Sequence, residues 1–334
     1  MKIFQPADVL DVARLHKRID ACKRESHRWS GPGIEWLELS TSYVRFRRAG
    51  RGDTTVIIAL DPPNVVEQCD RVIELLHNDF QVVVFEQPGF SFSYPKPGFR
   101  FEVAHYEAFL EELLTTLGAK QYIFSFPCVS TFYGMRVAAK RPDLVERALF
   151  LQAANWRDQY RWSRIVADAF TLMTLRVPGG RYLMKTPYLG QALGVAIETK
   201  FAPSTAPYVV YRGKKDKAKT ASFVEPEQRV VANGGCNLME TFYQRFFDSD
   251  FAPRTLEQPV HLAWAVSDRS HFFSDRRGLL EYFRDAEYSE HTRCGHHFDV
   301  EEPQLNAKLL RDLASRRSAT RAVPSGSNGH CVTS

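Results

Sequence analysis

The chain has 334 residues, of which 44% are hydrophobic and 25% charged. That composition excludes a disordered chain, a collagen-like repeat and a coiled coil, and the length holds two average domains or one large α/β domain with an insertion. The 44 basic and 39 acidic residues leave a net charge of +5, mixed along the chain rather than blocked, which points away from a nucleic-acid partner.

Residues 6–25 carry apolar side chains at helical spacing (Val9, Leu10, Val12, Ala13, Leu15, Ile19) and predict an amphipathic helix, the main part of an N-terminal extension over 1–33. Gly31-Pro32-Gly33 ends that unit. A strand–turn–strand pattern follows, Ile34 to Tyr43 and Val44 to Arg48. Thr55–Leu60 and Gln81–Phe85 are continuous β-branched and aromatic runs, as expected of strands buried on both faces. Val65–His77 lies between them with helical spacing. Phe101–Leu117 predicts a second helix, Gln121–Phe124 a strand, the stretch to Lys140 a helix, and Ala148–Leu151 another strand.

Strands alternating with helices imply βαβ units and a parallel sheet. The rhythm breaks over 157–257, an aromatic- and methionine-rich stretch that predicts a helical cap. Its lysine cluster, Lys214 to Lys219, reads as a solvated loop, having no interleaved aromatics. The rhythm resumes with a strand at Pro259–Val266, a helix at Arg276–Arg284, a short strand near Glu287–Thr292 and a helix at Pro303–Arg316. The core is therefore expected over 34–156 and 258–316. The tail, 317–334, is small and polar, with the composition of a disordered segment.

Six cysteines without a C-x-x-C pair suggest neither a disulfide framework nor a zinc site. The first twenty residues lack an apolar run, and no run approaches 18 residues, so neither a secretory signal nor a membrane helix is expected. A cytoplasmic, reducing setting follows. The terminal Cys331-Val332-Thr333-Ser334 fits a prenylation box only loosely, so a membrane partner is expected only if Cys331 is modified.

The chemistry concentrates at three joints. Phe126-Pro127-Cys128-Val129-Ser130 lies between a strand and a helix, where a side chain stands clear of the sheet's C-terminal edge and the helix N-terminus offers free N–H groups. A thiol there is expected to have a lowered pKa, more so beside a histidine. Ala263-Trp264-Ala265-Val266-Ser267-Asp268 ends a second strand on an acid, whose plainer role would be a loop cap. Cys294-Gly295-His296-His297-Phe298-Asp299-Val300-Glu301-Glu302-Pro303 places a base between the last strand and the last helix.

These segments resemble the α/β-hydrolase family over about residues 34–316. Its G-x-S-x-G elbow is followed by a helix ending at a proline. Counting 14 residues back from Pro142 selects Cys128 as the nucleophile, with Ser130 as its rival. The histidine segment looks like the family's, and the proline seven residues on selects His296, with His297 as the alternative. Asp268 falls where the family holds its acid, and the order 128, 268, 296 matches the fold's chain order.

Two departures stand out. Both elbow glycines are missing. The usual His-Gly after the third strand is replaced by Leu60-Asp61-Pro62-Pro63-Asn64, whose prolines have no N–H to offer an oxyanion. Val129 N–H and Asn64 are the expected oxyanion donors. Phe85-Glu86-Gln87-Pro88-Gly89-Phe90-Ser91-Phe92-Ser93 resembles another loop of the family. Together the segments look like α/β hydrolases of fungal polyketide pathways, which implies thioesterase or lactone-forming chemistry in secondary metabolism. The implied partner is an acyl thioester on the carrier domain of a polyketide synthase, with no cofactor and no metal. A small-ester or lactone hydrolase and a non-catalytic binding protein are the alternatives.

Overall fold

The computed structural model describes residues 33–62, 64–159, 161, 242, 245–247, 249, 251–268, 271, 274–292 and 294–316. The N-terminal extension, most of the cap stretch, the lysine cluster and the tail with Cys331 lie outside the described residues.

One sheet organises the chain. Its strands are β1 (Ile34–Glu38), β2 (Ser42–Ala49), β3 (Thr54–Ala59), β4 (Gln81–Phe85), β5 (Tyr94–Pro95), β6 (Gln121–Pro127), β7 (Val145–Leu151), β8 (Leu256–Ala265) and β9 (Phe283–His291). They are ordered β1-β2-β4-β3-β6-β7-β8-β9, with the short β5 paired to β2. β2 runs antiparallel to its neighbours β1, β4 and β5. From β4 through β3, β6, β7 and β8 to β9 every pairing is parallel. The Val/Ile/Phe runs of β3, β4 and β6 are buried along nearly their whole length, as strands covered on both faces require.

The helices supply that cover: α1 (Asp70–Leu76), α2 (Val103–Leu117), α3 (Ser130–Lys140), α4 (Phe298–Glu301) and α5 (Pro303–Ser315). Phe109, Leu110 and Leu113 of α2 pack with Phe124, Phe126 and Phe150 on one face. Val72 and Leu76 of α1 and Leu309, Leu310 and Leu313 of α5 close the other, over Val56, Ile58 and Val84. The two layers leave the C-terminal ends of the parallel strands to carry the loops.

Three expectations are corrected. The turn between the first two strands falls at 39–41, so Tyr43 belongs to β2. Residues 276–284 are not an α-helix: turns lead into a single 3-10 turn at Leu280–Tyr282, and Arg284 is already in β9. Gly278 explains this locally, since it weakens a helix and a Cβ there would meet Asn155 Nδ2 at 2.7 Å. The strand expected near Glu287 starts instead at Phe283. Four described aromatics of the expected cap stretch, Phe242, Phe246, Phe247 and Phe251, are buried in the main core, where Trp156 stacks near Phe251 at 4.5 Å.

A buried ionic strut fixes the loop after β4. Arg45 on β2 is fully buried and donates to Glu86 Oε1 at 2.7 Å and to Glu67 Oε2 at 3.0 Å. Glu86 also accepts the N–H groups of Val66 (3.2 Å) and Phe92 (2.9 Å). Gln87, next in the loop, donates from Nε2 to Leu60 O at 2.7 Å. The strut thereby anchors the segment that presents Asp61.

Candidate active site

The β6–α3 joint is a sharp turn made without its usual glycines. Cys128 has φ +47°, the left-handed region that costs a non-glycine residue about 1–2 kcal/mol. Neighbouring bonds hold it there. Cys128 N–H donates to Leu151 O at 2.8 Å, Thr131 Oγ1 to Phe126 O at 2.8 Å and Ser130 Oγ to Pro127 O at 2.5 Å. Ser130, the rival nucleophile, is fully buried with its hydroxyl committed to the turn. Phe126, standing where a glycine was expected, stacks on Phe124 with centroids 4.4 Å apart. Its ring is accommodated one turn later: a Cβ on Gly134 would meet Phe126 Cδ2 at 2.6 Å. The small residue the elbow lacks has moved to position 134.

Asp268 follows β8 and is buried. Its Oδ2 accepts from His296 Nδ1 at 2.8 Å and from Gln152 Nε2 at 2.7 Å. Gln152, at the end of β7 with φ +51°, also accepts the Ala265 N–H. His296 sits between β9 and α4, in a loop held by Glu301, whose two carboxylate oxygens accept Gly295 N–H at 3.1 and 3.0 Å. Cys128 Sγ lies within 4.8 Å of a His296 ring nitrogen. Gln159 Nε2 lies 3.4 Å from the same sulfur. The structure thus brings Cys128, Asp268 and His296 into one cluster, with Val129 at the N-terminus of α3, among the first-turn N–H groups that have no intrahelical acceptor.

Asn64 is placed otherwise. Its N–H donates to Asp61 O at 3.0 Å, its Nδ2 to His297 Nδ1 at 2.9 Å, and its carbonyl accepts from Ser91 Oγ at 2.7 Å. Its backbone N–H is thereby spent inside the loop, and its side-chain amide is directed at His297. His297, the alternative base, is buried against Asn64, and burial pushes its pKa down to about 4.

Comparison with known proteins follows the same architecture. No protein-family model matches the chain, and no curated protein matches it in sequence. Solved structures do. The epoxide hydrolase CorEH superposes with a TM-score of 0.64 at 16% identity, over 84% of this chain and 97% of its own. A serine hydrolase involved in carbazole degradation, the CarC enzyme, gives 0.62 at 14% identity, over 85% and 99%. An α/β-hydrolase fold protein from Chitinophaga pinensis gives 0.58 at 14%, over 85% and 98%. This is the α/β-hydrolase fold. At such identities the likeness concerns fold and not reaction.

Within this α/β-hydrolase fold, the loop after β3 brings a further acid to the site. Asp61 is buried, and its Oδ2 lies 3.0 Å from His296 Nε2. His296 is therefore held by a carboxylate on each ring nitrogen, and both nitrogens must carry a proton to make both bonds. Burial opposes the charge, but Asp268, Asp61 and Cys128 together hold the imidazole well above its ordinary value. The thiol responds in the opposite direction from the one expected. Burial, and then the negative charge of Asp61, push Cys128 up to about 11, against the lowering effect of its hydrogen bond with His296. The cause is local: the helix end and imidazolium favour thiolate, while a dry pocket with an added carboxylate favours thiol.

Sequence reasoning missed three residues here. Asp61 was passed over as part of a proline-rich loop. Gln152 lies far from any motif. His271, buried, stacks on His296 with centroids 5.2 Å apart. Only Asp61 carried a signal, as an acid at the position where the family places an oxyanion loop.

Proposed function

We propose that the protein catalyses acyl transfer from a thioester through Cys128, His296 and Asp268. The observation that carries this reading is the left-handed backbone of Cys128 at a strand–helix joint, with His296 beside the sulfur and Asp268 behind the imidazole. Strained backbone of this kind is concentrated at functional sites, which supports the reading.

In the first half-reaction the Nε2 proton passes from His296 to Asp61, and the freed nitrogen then takes the Cys128 proton. The thiolate adds to the thioester carbonyl, and the oxyanion receives the Val129 N–H. Collapse breaks the bond to the carrier sulfur, which leaves with the proton from His296. In the second half-reaction His296 deprotonates water or a hydroxyl of the acyl chain. That oxygen attacks the acyl-enzyme, and Cys128 leaves as thiol, yielding acid or lactone. Asp268 keeps the imidazole oriented throughout and stabilises its charge. Because a thiol exchanges for a thiol, the first step is close to balanced in energy. Pro62 has no N–H, so one oxyanion donor is absent from the usual place; a donor of this kind is worth about a hundredfold or more in rate.

A polyketide-like acyl chain on a synthase carrier domain is the proposed substrate. The Asp61–His296 contact favours a second reading, a ligand-binding protein whose histidine is locked. Steady-state turnover of hydroxyacyl thioesters separates the two. The enzyme reading expects turnover that Cys128→Ala and His296→Ala both abolish, Cys128→Ala without loss of the folded state. Turnover undiminished in Cys128→Ala sinks it.

A further inference from the structure

Acyl transfer uses one face of His296 and gives His271 no part. Yet Cys128 Sγ and one ring nitrogen each of His271 and His296 lie within 4.8 Å of one another, and Cys128 and His271 are both buried. The His271 ring is held by stacking on His296 and by an edge contact with Trp264 at 6.1 Å. Its Nδ1 lies 3.4 Å from Ser274 Oγ. A fourth donor, Asp61 Oδ2, stands 3.0 Å from His296 Nε2. Behind the cluster, Asp268 accepts from His296 Nδ1 at 2.8 Å.

We propose that Cys128, His271, His296 and Asp61 form a site for zinc or a similar soft divalent cation. The donor set is one sulfur, two imidazole nitrogens and one carboxylate oxygen, which suits tetrahedral zinc and not magnesium or calcium. Ideal bond lengths put neighbouring donors of such a site about 3.3–3.6 Å apart. The three donors that lie within 4.8 Å of one another, and Asp61 beside His296, must draw closer by about an ångström or more on binding. The carboxylate behind a ligating imidazole is the arrangement that orients metal-bound histidines. On binding, the metal replaces the Cys128 thiol proton and the His296 Nε2 proton, and both are released to solvent. The Asp61 oxygen exchanges a hydrogen bond for a metal bond.

The metal takes the electron pairs that acyl transfer needs, so zinc and acyl transfer are mutually exclusive at this site. That consequence rests on the proposed acyl-transfer reading; the binding itself does not. The test uses the full chain, stripped with a chelator. Titration with cobalt(II) is expected to give one equivalent bound, with a thiolate-to-cobalt charge-transfer band that Cys128→Ser lacks. Competition against a chromophoric chelator is expected to show zinc binding weakened more than about a hundredfold in His271→Asn. Inhibition of turnover by zinc is lost in His271→Asn. No charge-transfer band with the folded wild-type protein, or zinc affinity unchanged in His271→Asn, overturns the site. Stoichiometric binding without any thioesterase activity keeps the metal site and removes only the acyl-transfer reading.

Discussion

Asp61 adds to burial in holding the candidate nucleophile as a thiol. It stands against His296 Nε2, and its charge is, after burial, the next cause of the raised Cys128 pKa of about 11. Removing that charge while keeping the shape frees the thiol to ionise. Asp61→Asn is expected to alkylate faster with iodoacetamide at pH 8, about tenfold for each unit by which the thiol pKa falls. An unchanged or slower rate means that burial alone sets the thiol. At this scale the sequence was legible where chain order and strand ends constrain a residue: Cys128, Asp268 and His296 were all read from such joints. Asn64 was misread, because adjacency to the loop said nothing of His297, 233 positions away, which takes its amide. The thiol pKa was misread because burial raises it, and because Asp61 adds to that through space and not through spacing.

The elbow shows what an element needs beyond its motif. Its glycines are absent, yet Cys128 still adopts φ +47°, held by the hydrogen bonds of the turn, and Gly134 leaves the space that the Phe126 ring fills. Gly134→Ala is expected to destabilise the fold by about 1–3 kcal/mol through overpacking, seen as a lower denaturant midpoint. Adding Phe126→Leu shortens the clashing side chain and should recover part of the loss, so the two changes are not additive. Additivity of the pair contradicts the packing account. The same scale explains the missed elements. α4 spans only four residues and β5 only two, too short for periodicity to register. The helix expected at 276–284 had apolar spacing, but Gly278 and the pairing of Phe283 with Leu256 on β8 drew the chain into the sheet.

Across the whole molecule the parallel sheet was the most legible feature, because burial on both faces writes continuous apolar runs into β3, β4 and β6. Buried charge was the least legible. Asp299 is almost fully buried, neither carboxylate oxygen has a well-formed hydrogen bond among the described residues, and burial followed by the Asp61 charge pushes it up to about 7 from 3.8. The folded state therefore holds this proton more tightly than the unfolded chain. The resulting stability is fully present below about pH 4 and is lost as pH rises through about 7. His271 and His297, pushed down to about 4 by burial, act in the opposite sense and lose stability as pH falls below 6.5. Asp299→Asn isolates the carboxyl. Urea unfolding is expected to show the variant gaining on wild type between about pH 4 and pH 7, by up to about 1.4 kcal/mol per pH unit, and no further above that. A gap that does not change with pH contradicts a proton held at Asp299.

The central claim is that Cys128 carries the acyl group. It is tested most directly by intact mass spectrometry of the protein quenched seconds after mixing with a medium-chain hydroxyacyl thioester, followed by peptide mapping. The account predicts one acyl addition, located on the peptide containing Cys128 and absent from Cys128→Ala. Product release with the adduct on another residue, or an equal adduct in Cys128→Ala, contradicts it.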